Sequence, residues 1–374
     1  MSKTHIPSQV KQQIWFAAHG RCEFRGCNKR LYTSGVTMEK CNISNYAHII
    51  GDSPDGPRGN ELSKTLSKDP SNLILLCPEC HDLIDSKSGE KKYTVEVLKS
   101  MKKEHEERID FLTGICPNQK SLVVAYGPKL GQDNQLFQKD VLNNIILPER
   151  YPLDLNPIEI HMKNTALDES MQVYWQTEQL QIETLCRDKV IKTLESGACS
   201  HISLFPLGPQ PLLIKLGTIL NDRYNVQVYQ KHREPDTWRW LENRSSNNII
   251  VEEPADKTKE PMLIIALSTQ AIKARVLQRF GANASIWTIT CDIPGNDMMK
   301  SKYQLEQFRM AARKVMDDIK NSNLENIDLK IFMAAPASCA VELGRIRMPK
   351  ADSKWVIFDY SNKQEKDIET IAID

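Results

Sequence analysis

The chain has 374 residues, 49 Lys and Arg against 48 Asp and Glu, a formal net charge of +1, and 40% hydrophobic residues. That length exceeds what one small core serves and predicts two or three domains, while the composition excludes a disordered or fibrous protein. A near-neutral balance excludes a global basic field, so any nucleic-acid contact must rest on local patches. No apolar run approaches the roughly 20 residues that cross a bilayer. The opening "MSKTHIPSQVKQQIW" lacks a signal-peptide core, so the expectation is a cytoplasmic protein with no membrane partner. In that reducing compartment the 10 cysteines are not a disulfide framework.

In chain order, the first unit spans 1–112. Its cysteines form two close pairs, Cys22 with Cys27 and Cys77 with Cys80. Two pairs at such spacing match the halves of a tetrahedral thiolate site, which predicts a structural Zn²⁺ stapling a small domain. A redox dithiol is the rival reading of "CPEC", and it leaves Cys22 and Cys27 without a role. Local basic patches lie in "RCEFRGCNKR" and "KSGEKK". The unit closes with a predicted helix, "TVEVLKSMKKEHEERIDFL", with Thr94 as N-cap and Gly114 as stop.

Residues 113–132 mix Pro, Gly, Asn and Gln around one short apolar strand and are predicted to be a linker. From 133 to 374 strand and helix patterns alternate, which predicts an α/β region with parallel sheets. Strands are expected at "HISLF", "YNVQVY", "MLIIAL", "ASIWTITC", "DLKIFM" and "KWVIFDY", and helices over 168–195 and 302–322. An internal repeat sits here: 202–219, "ISLFPLGPQPLLIKLGTI", aligns without a gap on 329–346, "LKIFMAAPASCAVELGRI". Phe205 falls on Phe332, Pro209 on Pro336, Leu216 on Leu343, Gly217 on Gly344 and Ile219 on Ile346. Each copy reads as strand, turn, helix. Two such turns facing one another would form a cleft with a pseudo-two-fold axis, suited to a phosphate-bearing ligand.

The zinc reading leaves His48, Asn72, His81 and Asp85 unused. On "NYAHIIG", "DSPDGPRGN" and "DPSNLILLCPECHDLID" the first unit resembles the HNH, or ββα-metal, endonucleases, which implies an α+β domain that hydrolyses DNA to 5′-phosphate and 3′-hydroxyl ends. The resemblance casts His48 as general base and Asn72 as the group that fixes its strand or ring. It gives His81, with Asp85 and Asn72, to a catalytic Mg²⁺ or similar divalent cation; Arg58 in the intervening loop reads either as a DNA-phosphate contact or as a loop-stabilising arginine. Ala47 departs from the pattern, because many members carry Asp or His there.

The whole order resembles the HNH-SAVED effectors of CBASS antiphage immunity, in which two CARF-like, Rossmann-related halves bind a cyclic oligonucleotide. It is carried by "HISLFPLGPQPLLIKLG", "DTWRW", "IWTITCDIPGNDMMKSKYQLEQF" and "FMAAPASCAVELGRIRMPK". This implies a cyclic di- or trinucleotide activator, a homo-oligomer, and degradation of double-stranded DNA in abortive infection. Candidate ligand residues are Pro209, Gln210, Pro336, Ser338 and Cys339 in the turns, Trp238 for base stacking, and Lys273, Lys302 and Arg345 for phosphates. Trp287 reads as core. Two other readings stand beside this one: a modification-dependent HNH restriction endonuclease, and a zinc-containing DNA-binding or sensor protein with an inactive HNH site.

Overall fold

The computed structural model describes residues 4–33, 37–128, 137–162, 167–241, 247–322 and 327–374, and divides into two compact units, Met1–Cys116 and Pro117–Asp374. In the first, helix α1 (Ser8–Ala17) precedes strand β1 (Asn45–His48), a short helix α2 (Ser63–Leu66) and strand β2 (Leu73–Leu76). Helices α3 (Pro78–Asp85), α4 (Gly89–Lys92) and α5 (Val95–Thr113) follow. β1 and β2 pair antiparallel, with His48 opposite Leu73. Every residue of β2, "LILL", is buried, because α1 packs on the pair and Ile14, Ile84 and Leu98 complete one core around it. The Thr94 hydroxyl caps α5 by accepting from the Val97 amide, and the Gly114 amide closes the helix on Asp110.

The second unit begins earlier than expected. Strand β3 (Lys120–Pro128) lies within the predicted linker 113–132, whose residues 129–132 fall outside the described residues, as do 133–136 of the expected sensor region. The Pro- and Gly-rich flanks suggested a connection, yet "SLVVAY" between them is buried along its length. After it come α6 (Lys139–Ile146), β4 (Tyr151–Pro152), β5 (Ile158–Met162) and α7 (Gln172–Leu185), which continues through one π turn into α8 (Lys192–Glu195). Then follow β6 (His201–Pro206), α9 (Gln210–Ile219), β7 (Asn225–Val228), β8 (Ile249–Glu252), β9 (Glu260–Ala266), α10 (Ala271–Phe280) and β10 (Ala284–Cys291). The chain ends with α11 (Lys302–Asn321), β11 (Leu329–Ala334), α12 (Ala337–Arg345), β12 (Trp355–Ser361) and β13 (Lys366–Ile373).

Two sheets result. In one, β5 and β4 pair along β3, and the order runs on through β6 to β7, all parallel. In the other, β10-β9-β11-β12 are parallel, with β8 and β13 as antiparallel edges. The path β5-β3-β6-β7 repeats as β10-β9-β11-β12, so the duplication extends beyond the two aligned segments to a whole half. Within it, Phe205 stacks on Tyr229 at 4.4 Å and Phe332 stacks on Phe358 at 4.7 Å. Pro209 and Pro336 hold the same extended N-cap conformation. The halves join where α9 crosses α12: a Cβ on Gly217 would sit 2.1 Å from the Val341 carbonyl oxygen, and one on Gly344 would sit 2.0 Å from that of Ile214. Ile214 and Val341 are themselves equivalent in the repeat, so the contact is related to itself by a pseudo-two-fold axis. No described helix is long and apolar enough to cross a membrane.

Candidate functional sites in the two units

Cys22, Cys27, Cys77 and Cys80 bring their sulfurs within 4.8 Å of one another, all as free thiols. Cys27 and Cys77 are 3.9 Å apart, near the edge of about 3.8 Å that follows from Zn–S bonds of about 2.3 Å in a tetrahedron, and far from a disulfide. Burial pushes the Cys22 thiol up to about 12, so this pocket disfavours thiolate until a cation neutralises it. The residues therefore fit a structural zinc. Among the described residues they are the one such group of three or more ligating side chains.

His48, at the end of β1, donates from Nε2 to the Ser67 carbonyl at 2.9 Å. In the neutral ring this leaves the lone pair on Nδ1, so the ring is oriented as a proton acceptor. Asn72 acts on the backbone and not on the imidazole. Its Oδ1 accepts from the Ile50 amide at 2.8 Å, and its Nδ2 donates to the carbonyls of Ile50 and Leu66 at 3.0 and 3.2 Å. It thus clamps both chains flanking His48, the one after β1 and the one that ends in Ser67. It is buried, spends its amide on those bonds and stays out of the cavity, so its expected place among the metal ligands is corrected.

That cavity, about 700 Å³, is lined by His48, Asp52, Lys64, His81 and Asp85 among others. One turn of α3 brings His81 Nε2 within 3.4 Å of Asp85 Oδ2. Two or three donors of this kind suit a hard cation that retains most of its water. Ala47 points into the core, where it supplies no ligand. Arg58, read either as a DNA contact or as a loop-stabilising residue, is enclosed and does the second. Its guanidinium donates to the carbonyls of Ile49, Ile84 and His48 and pairs with Asp85 at 2.6 Å, which pins the 51–59 loop against β1 and α3. Sequence reasoning missed Asp52, whose carboxylate accepts from the Thr4 amide and lies 3.7 Å from His48 Nε2. The signal was the spacing: Asp52 follows His48 by four residues, and Gly51 between them lets the chain turn back beside the strand end.

In the second unit the two duplicated turns meet. Gln210 Nε2 donates to the Ala335 carbonyl at 2.6 Å, and the Ser338 amide and hydroxyl donate to Gln230 Oε1. The carboxyl ends of β3, β6, β9 and β11 converge here, at the point where strand order reverses in each half. Pro209, Gln210, Pro336 and Ser338 are therefore brought together. Gln230, absent from the expected set, ties them. The other candidates are engaged elsewhere. Trp238 packs edge-on to Phe205 in the core, and Cys339 is wholly buried. Arg345 is enclosed, donating to the carbonyls of Leu220, Tyr224 and Val226 and pairing with Glu342. Lys273 and Lys302 are held by Glu252 and Glu149. Trp287 is core, as expected, with its Nε1 donating to Asp318.

Residues 183–373 match the profile of the SAVED family, described as the SMODS-associated and fused to various effectors sensor domain. No curated protein matches the chain. Among solved structures it is similar to the Acinetobacter baumannii Cap4 SAVED/CARF-domain containing receptor with the cyclic trinucleotide 2′3′3′-cAAA, at 13% identity and TM-score 0.41, covering 77% of this chain and 61% of that one. The same receptor with 3′3′3′-cAAA aligns at 14% identity and TM-score 0.42, covering 84% and 67%. The Moraxella osloensis Cap4 receptor aligns at 10% identity and TM-score 0.40, covering 77% and 64%.

Proposed function

From a chain that belongs to the SAVED sensor-domain family, we propose an effector of antiphage defence whose second unit binds a cyclic oligonucleotide and whose first unit then cleaves double-stranded DNA. The observation that carries the nuclease half is His48, fixed through Nε2 with Nδ1 left as acceptor, in one cavity with His81 and Asp85. Nδ1 takes a proton from water as the water oxygen bonds to phosphorus. The bond from phosphorus to the 3′ oxygen breaks and that oxygen takes a proton from solvent water, leaving a 5′-phosphate and a 3′-hydroxyl. A divalent cation at His81 and Asp85 would offset charge on the phosphoryl and leaving oxygens. The paired turns at Pro209, Gln210, Pro336 and Ser338 support the sensing half, with a cyclic di- or trinucleotide as the ligand class. Ligand-driven assembly of protomers supplies the avidity that a chain of net charge +1 lacks for DNA. The setting for this chemistry is the cytoplasm.

The test is plasmid cleavage by the full chain with Mg²⁺ across a panel of cyclic di- and trinucleotides. Cleavage is expected only with an activating messenger, and His48→Ala should lower it by at least about 100-fold. Equal cutting with and without every messenger would remove the sensing half, and an unaffected His48→Ala would remove the assigned site.

A further inference from the structure

The cavity around His48 does not end there. A second cavity of about 450 Å³ adjoins it, and the two share Thr4, Asp52 and Lys64. They form one groove, which runs from α3 past the His48 ring to α2 and the turn after it, where Lys68 lines the far end. Charge changes sign along this groove: Asp85 stands at the end suited to a cation, Asp52 and Lys64 face the stretch common to both cavities, and Lys68 stands at the far end. Both lysines are exposed and, among the described residues, neither sits in an ion pair. In the basic stretch most prominent in the sequence, Arg25 is held by Glu104 and Lys29 by Glu79, each at 2.5 Å. Lys64 and Lys68 also flank Ser67, whose carbonyl fixes His48. Anything that grips these lysines is thereby registered against the base.

We propose that Lys64 and Lys68 bind consecutive phosphates of the DNA strand flanking the scissile bond, and so set the scissile phosphate beside His48. This deepens the nuclease reading and rests on it. Ammonium groups of this kind position a backbone without reading bases, so the groove predicts little sequence preference.

The test is anisotropy of a short fluorescein-labelled duplex titrated with the full chain carrying His48→Ala, which binds without cutting, over a range of KCl. Adding Lys64→Glu and Lys68→Glu should reduce the slope of log affinity against log salt by about 2, close to one per lost phosphate contact. The same charge reversal at Lys314 and Lys363, in the other unit, should leave the slope in place. An unchanged slope in the first variant, or an equal loss in the second, would overturn the proposal. A His48→Ala parent that binds no duplex even at low salt, alone or with any cyclic di- or trinucleotide of the plasmid panel, would instead overturn the nuclease reading itself.

Discussion

Arg58 illustrates how one residue type serves two ends. From the sequence, an arginine in a Gly- and Pro-rich loop beside a nuclease motif points to a DNA phosphate; in the fold its planar guanidinium spreads over three backbone carbonyls and Asp85. Arg58→Ala should therefore lower the stability of the first unit by at least about 2 kcal/mol, read by chemical denaturation, because buried carbonyls lose their donors. Arg58→Lys should restore little of it, since an ammonium cannot match that fork. His48, His81 and the four cysteines were legible because metal and acid–base chemistry fix both residue type and spacing. Arg58 as a loop stabiliser and Asn72 as the group that fixes the His48 strand were each one of two readings, and which atoms they hold was not legible. Their partners are main-chain groups, and a backbone carbonyl has no letter in a sequence.

At the scale of elements, the repeat was visible because strand, turn and helix recur in register, with the shared glycines at fixed places. Its geometric meaning was not visible. Only the packed helices reveal that Gly217 and Gly344 are the points where α9 and α12 touch. Gly217→Ala should cost about 2 kcal/mol or more by denaturant titration, since the new methyl meets backbone that cannot swing aside. Gly295→Ala, where nothing lies within 4 Å, should be close to neutral. The six expected strands were found, and the short apolar strand read inside the linker is β3; its pattern gave the strand but not the sheet it joins. Trp238 was misread for a related reason: periodicity places an aromatic on a strand or loop but does not say which side the core lies on.

At the scale of the whole molecule, acid stability should bear the mark of one buried base. Burial first, then the positive charges of Arg150, Lys302 and Arg345, hold the His201 imidazole down at about 3, with Ser121 Oγ 2.8 Å from Nδ1. In the unfolded chain the same ring takes up a proton near about 6.5. The unfolded state thus binds more protons between those values, and stability present above about 6.5 is lost as pH falls toward about 3. The thermal midpoint of the second unit should drop through that window, and His201→Gln should flatten the drop. The duplicated halves carry a further consequence. A homodimer must place identical side chains on both sides of its axis, but a fused pair is released from that rule even where the copies touch. Thr218 occupies the position of Arg345, which clasps Leu220, Tyr224 and Val226 of the opposite half, and Lys215 stands where Glu342 does. Only the glycines at the crossing remain bound to each other's identity. The two walls of the crevice are free to differ, so a messenger recognised there need not be symmetric.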